Sequence, residues 1–410
     1  MNPENRNMIL AITLSMAVLF GWQMFVVGPE LEKEAAMQQA IAEQEAAAAA
    51  ASGDAPQVDP DAVAGSAGAA ATGQLSASEA APAVEAPRIV IDAPLVSGSI
   101  SLAGLRVDDI MLKAYQETQD PDSENIQFLL KTSTAAPFFA EFGWASADAA
   151  QPMPKSDSVW TASSMVLSPG SPVTLTWENG NGLTFRRQLS INDDYMITVD
   201  DSVESALSAP LTLFPYGLVR RHGTPATTGI YILHEGALGV FDETLREEDY
   251  DDMRDADGGV SEIRPEMPGG WIGFTDKYWL AALLPDQSAN MNFAFKSLAG
   301  PSDRYQVDYI ASEASVLPAG GVVSSQTRLF AGAKKVSLLD GYADELSIAN
   351  FDLAIDFGWF YFLTKPFFYA INWLNSLLGN FGLAVLAFTI VVKLVFFPLA
   401  NKSYRSMGKM

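Results

Sequence analysis

Residues Gly382–Ala400 read GLAVLAFTIVVKLVFFPLA, a run long enough to cross the ~30 Å hydrocarbon core of a bilayer at ~1.5 Å per helical residue. One residue in it does not suit lipid, and that is Lys393. Counted from Gly382 it lies roughly 16 Å along a helix, near the midplane, where insertion scales set a cost of about 2.5–3.5 kcal/mol. Snorkelling is one explanation, but a lysine arm is only about half as long as the distance to either interface. A charge facing a wet cavity is the other. Thr389, four residues earlier, shares a helical face with Lys393, so a hydroxyl and a cation make one wall of a polar slot. Phe396, Phe397 and Pro398 mark the inner end of the span.

The composition fits a chain divided between membrane and water. Hydrophobic residues make up 49% of the 410, yet the formal charge is −24. Residues 1–27 and 381–410 hold five basic side chains and one acid, which leaves 20 basic and 48 acidic residues, a net of −28, in 28–380. So acidic a segment repels nucleic acid, and no nucleic-acid partner is expected. There is no cysteine, which excludes disulfides, thiolate metal sites, a lipoprotein anchor and cysteine nucleophiles. Only His222 and His234 are available as imidazole ligands, too few for a His-rich metal centre.

Around the decisive span the rest falls into order. Residues 1–7 read as a cytoplasmic tail, and Met8–Val27 as a spanning apolar run with Trp22 near its outer end. Its length and the lack of a small-x-small site in VVGPELEKE favour a retained signal-anchor over a cleaved signal peptide. The basic tail after the second span, with Lys402, Arg405 and Lys409, is cytoplasmic by the positive-inside rule, which puts 28–380 outside, in the periplasm. Residues 28–87, rich in Ala, Glu, Ser and Pro, lack the apolar bulk to form a core and read as a disordered tether.

From Arg88 to about residue 345 short β-branched and aromatic runs alternate with turns. PVTLTW (Pro172–Trp177), the turn ENGNG and LTFRRQLSI (Leu183–Ile191) predict a hairpin, and YMITV (Tyr195–Val199) a further strand. The pattern predicts a β-sandwich running to about Phe330, with Leu329–Ala354 helical after it. Residues 346–380 carry DFGWFYFLTKPFFYAINWLNSLLGN. Its density of aromatics, with Lys365 and Pro366 inside it and Trp359 and Trp373 as anchors, reads as an interfacial helix rather than a third crossing. The second span then covers 381–400, and 401–410 begins a basic cytoplasmic segment. No catalytic residue, cofactor or metal site is expected. The acidic run Glu243–Asp257 lacks the spacing of a calcium loop and reads as a solvated acidic loop, while His222, beside Arg220 and Arg221, reads as an ordinary hydrogen-bonded histidine rather than a general base.

Three stretches resemble one family. GGWIGFTDKYWLAALLP (Gly269–Pro285), IDFGWFYFLTKPFFYAINWLNSLLGNFGLAV (Ile355–Val385) and TIVVKLVFFPL with YRSMGKM (Thr389–Leu399, Tyr404–Met410) are similar to the YidC/Oxa/Alb family of bacterial membrane protein insertases. The resemblance covers the whole chain and is strongest from Ser261 onward. It implies a periplasmic supersandwich like that of galactose mutarotases, without sugar chemistry, and an α-helical insertase core in the inner membrane. It also implies a hydrophilic groove in which Lys393 stands where the family has an arginine and Thr389 where it has a polar residue. Lysine keeps the charge and loses the bidentate fork. The implied partners are nascent inner-membrane proteins, the lipid bilayer, the Sec translocon with its accessory subunits, and the ribosome. The family continues through a cytoplasmic hairpin and four more spans, so these 410 residues hold one groove wall and are not expected to insert clients alone. A different reading is a membrane-anchored periplasmic binding or assembly module.

Overall fold

The hairpin is present. Val173–Glu178 pairs antiparallel with Leu183–Ile191, Val173 opposite Leu189 and Glu178 opposite Thr184. Asn179 closes the turn, its Oδ1 accepting from the backbone N–H of Asn181 at 2.7 Å and of Leu183 at 3.0 Å. Leu183, Phe185, Arg187, Leu189 and Ile191 point into the core and the residues between them face out, the period-2 pattern of a half-buried strand.

The computed structural model describes residues 86–407, apart from 121, 147, 149–150, 228–233, 299–302 and 359. The expected cytoplasmic tail, signal-anchor and nearly all of the tether lie outside the described residues, as does Trp359.

Two sheets, of eleven and nine strands among the described residues, enclose one hydrophobic core. The larger is built around Leu211–His222, which pairs with Phe138–Ser146 on one side and Arg304–Ala311 on the other. The smaller is built around Val322–Ala333, held between Met196–Ser205 and Trp279–Leu284. Phe138 of one sheet meets Phe274 of the other edge-on at 6.3 Å, so the layers interlock. This is the β-sandwich expected from the strand pattern. The helical reading of Leu329–Ala354 fails at its start. Leu329–Ala333 ends a strand paired on both edges, and Leu329, Phe330 and Ala331 are fully buried between the sheets. Tertiary pairing overrides local propensity there.

Among the described residues four α-helices accompany the sheets. The short α1 (Tyr250–Asp255) and α2 (Val336–Leu346) belong to the sandwich; Leu339 and Tyr342 of α2 are buried in the core. A 3₁₀ turn, Phe351–Ala354, leads to α3 (Tyr361–Leu378) and α4 (Phe381–Met407). Gly379, at φ +65°, ends α3 with its N–H on Asn375 O at 2.8 Å, and Asn380 Oδ1 caps α4 by accepting from Leu383 N–H at 3.1 Å. The two helices fold back on each other where Phe367 meets Phe388, ring centroids 5.1 Å apart. Among the described residues α4 alone is long and apolar enough to cross a membrane, through Phe381–Pro398.

Candidate functional site

Lys393 is the one charged residue in the apolar stretch of α4. It stands roughly 18 Å along the helix from Phe381. The stripe of α4 that packs on α3 includes Ala384, which is buried, and Phe388. Nine residues separate Ala384 from Lys393, so at ~100° per residue Lys393 points about 180° away from that stripe. Thr389 lies about 40° from Lys393 on the same outward side. Both side chains are exposed, and Lys393 has no ion-pair partner among the described residues. The Thr389 hydroxyl donates to Val385 O at 2.8 Å. Its proton is therefore used within its own helix, and it offers only acceptor lone pairs to anything beside Lys393.

Lys365 belongs to a different cluster. Its ammonium donates to Asp340 Oδ1 on α2 at 3.0 Å, to Asp352 Oδ2 on the 3₁₀ turn at 2.5 Å, and to Tyr361 Oη at 2.9 Å. Tyr361 and Tyr369 each donate a phenol hydrogen bond, to Asp352 and Asp340 respectively. Burial on its own would lower the Lys365 pKa, but the hydrogen bonds with Asp352, Tyr361 and Asp340 outweigh it and raise it. Burial would likewise raise Asp352, and the hydrogen bonds from Lys365 and Tyr361 pull it below the usual carboxylate range. Both shifts favour the ionised pair. Sequence placed Lys365 on an interfacial helix; the structure shows it tying that helix to the sandwich. Asp340, Asp352 and Tyr369 gave no signal in the sequence, since each is an ordinary polar residue until the fold brings them together.

The polar side of α3 carries this clamp, while Phe362, Trp373 and Leu377 stand 74%, 63% and 68% exposed. Pro366 sits inside α3 and supplies no backbone donor there.

The Gly-Gly-Trp stretch anchors the other end of the connection. Gly269 and Gly270 take φ +58° and +91°, and a Cβ on Gly270 would lie 2.4 Å from Val240 O, so the approach needs glycine. Trp271 is fully buried, donates Nε1–H to Ala349 O at 3.2 Å, and meets Phe351 edge-on at 5.3 Å. A continuous line of contacts thus runs from the sandwich through Trp271 and Phe351 to Asp352, Lys365 and α3.

Two other candidates come out differently. The run Glu243–Asp257 is largely a strand, Thr244–Asp249, and α1, rather than a loop. Arg254 bridges Asp251 at 2.8 Å and Asp255 at 3.5 Å within it. His222 was expected to be hydrogen-bonded; its Nε2 is buried and has no hydrogen-bond partner among the described residues. Burial lowers its pKa to about 4, helped by Arg220, Arg304 and Arg106, so the ring is neutral at neutral pH.

Comparison with known proteins places these features in a family. The family model described as the YidC periplasmic domain matches residues 88–370. The membrane protein insertase YidC of Beijerinckia indica is 44% identical over 415 residues, covering 100% of this chain and 68% of the relative. That of Methylobacterium sp. strain 4-46 is 43% identical, covering 100% and 69%, and that of Granulibacter bethesdensis 41%, covering 99% and 68%. Among solved structures, a galactose mutarotase-like protein from Lactobacillus casei aligns with 60% of this chain and 99% of its own, at 12% identity and a TM-score of 0.40. A putative aldose 1-epimerase from Escherichia coli K12 aligns at 8% identity and 0.36, covering 60% and 98%. Likeness at that level supports no inference about sugar chemistry. The matched domain and the full-length relatives agree: this chain belongs to the YidC family of membrane protein insertases.

Proposed function

We propose that this chain works in the insertion and folding of inner-membrane proteins, with Lys393 and Thr389 on one wall of a hydrophilic groove. The observation that carries the reading is the direction of Lys393, on the side of α4 opposite its contact with α3. A cation there, in a slot that admits water, attracts the acidic, hydrated end of a client while the client's apolar segment moves into lipid. Lysine is a single-point donor without the planar fork of arginine. It therefore attracts a carboxylate without fixing its geometry, which suits a site that must release each client. Thr389, its proton bound to Val385 O, accepts hydrogen bonds from water or client amides beside it.

The rest of the molecule holds this wall in place. On this reading residues 28–380 are periplasmic, residues 1–7 and 401–410 are cytoplasmic, and α3 lies at the periplasmic interface of the inner membrane with Trp359 and Trp373 as anchors. Asymmetry of basic residues and the exposed aromatics of α3 support it. Nascent inner-membrane proteins are the substrates, and the Sec translocon with its accessory subunits and the ribosome are the partners that family membership points to. On this reading the chain is not an enzyme, in keeping with relatives that are named as insertases. The anchored-module alternative is disfavoured by relatives that bear the insertase name.

The absence of native cysteine makes the test direct. Lys393→Cys in membrane vesicles should react with a charged, membrane-impermeant maleimide from the cytoplasmic side. Leu394→Cys, at the same depth and turned by about 100°, should not. Equal silence of both positions would remove the wet groove.

A further inference from the structure

Beside α3 the sandwich opens into a cavity of about 440 Å³, of the size that takes a small polar molecule or headgroup. Lys277, Lys334 and Lys335 line it, on the turn before Trp279 and on the link from Val322–Ala333 into α2. In a segment of net charge −28, three lysines around one cavity run against the prevailing sign. None of the three has an ion pair among the described residues. Lys277 and Lys335 rest on aromatic rings, of Tyr278 at 5.0 Å and Tyr195 at 5.6 Å. Lys334 donates to Thr275 Oγ1 at 2.8 Å. The one carboxylate in the lining, Asp356, already accepts from Gly358 N–H at 2.6 Å. Three lysines thus border a space whose lining holds a single carboxylate, Asp356. Burial lowers Lys334 to about 8 although Asp276, Glu235 and Asp356 pull the other way, so an added anion would stabilise its charged form.

The walls say which anion. Phe368 of α3 lines the cavity, and Tyr278 is 58% exposed beside it. An apolar ring and an amphipathic one at the rim, next to the outward aromatics of α3, suit acyl chains leaving a polar pocket.

We propose that this cavity binds the phosphate headgroup of an anionic phospholipid from the periplasmic leaflet, with Lys277, Lys334 and Lys335 as its donors and the acyl chains passing along α3. The inference rests on α3 lying at the interface. The bound lipid would fix the height of the sandwich over the bilayer, and through α3 the height of α4.

The test uses the full chain in mixed micelles of phosphatidylglycerol or phosphatidylcholine, with retained lipids counted by native mass spectrometry. Lys277→Gln with Lys335→Gln is the variant; Lys334 is left in place because its ammonium is part of the packing. The native chain should retain one phosphatidylglycerol more than the variant, at about ten-fold or more higher affinity, and no matching phosphatidylcholine. Equal retention by native and variant chains, or of both lipids, overturns the site. Binding of sn-glycerol 1-phosphate as tight as that of the lipid assigns the cavity to a soluble phosphate ester, and displacement of the lipid by an acidic peptide assigns it to polypeptide; either overturns the lipid proposal. Trp373→Cys carrying a fluorophore separates the supporting reading. Quenching by nitroxide lipids with no phosphatidylglycerol difference sinks the pocket alone, whereas a phosphatidylglycerol difference without quenching sinks only the placement of α3.

Discussion

Replacing Lys365 with methionine should loosen α3 from the sandwich and leave the sandwich itself folded. The ammonium bonds two carboxylates, Asp340 and Asp352, on two separate elements, at 3.0 and 2.5 Å. It is largely shielded, its side chain 18% exposed and its partners 25% and 13%. A hydrogen bond to a charged group contributes about 1.5–3 kcal/mol, and breaking a fully buried pair costs about 3–5 kcal/mol. Each carboxylate keeps a phenol donor, Tyr369 on Asp340 and Tyr361 on Asp352. The loss therefore falls at the lower end, about 2 kcal/mol, or roughly thirty-fold in the docking equilibrium. With no native cysteine, spin labels at Asp344→Cys on α2 and Ser376→Cys on α3 report the distance between the two elements. The native chain should give one narrow distribution, Lys365→Met a broadened one, and Lys365→Arg a distribution close to native. An unchanged distribution in Lys365→Met would refute the clamp.

Three further outcomes follow from the sandwich. Arg187 is buried with both donors on Asp201, at 2.6 and 2.7 Å, and a third bond to Phe142 O; Asp201→Asn should lower stability to denaturant by about 3–5 kcal/mol, and Arg187→Met with Asp201→Leu by much less. Gly270→Ala must adopt φ +91° and meet Val240 O, so it should cost about 3 kcal/mol and show as a lower thermal midpoint. His222 has a folded pKa lowered to about 4, so as pH falls below about 6.5 the unfolded chain takes up a proton first and stability declines until about pH 4. With the ring only part-buried the amount is about 1 kcal/mol after allowance for solvent screening, and His222→Gln should flatten that part of the pH–stability curve.

How much of this was legible in the sequence depended on whether the cause was local. The Asn179–Gly182 turn and the alternation of Leu183–Ile191 are local, and both appear in the fold. Lys393 with Thr389 was legible because helical spacing puts both on one face wherever the helix lies. Trp271 belonged to a recognised motif, but its role could not be read there: Ala349 and Phe351 reach it only through the chain's return from α2. The strand ending at Ala333 was misread because its helical pattern yields to pairing on both edges with residues some fifty to more than a hundred positions away. The Lys365 clamp was invisible for the same reason. His222 looked ordinary in sequence, and only burial among guanidinium groups distinguishes it.

The most direct test of the groove is Lys393→Leu introduced at the chromosomal copy, with insertion measured for clients whose translocated N-terminal tails are acidic or neutral. If Lys393 faces water and draws acidic tails, insertion of acidic-tailed clients should fall about ten-fold, an effect of about 1.4 kcal/mol, while neutral-tailed clients change little and Lys393→Arg stays near native. Equal insertion of both client classes by Lys393→Leu and the native protein would contradict the groove and leave Lys393 an ordinary lysine in a membrane helix.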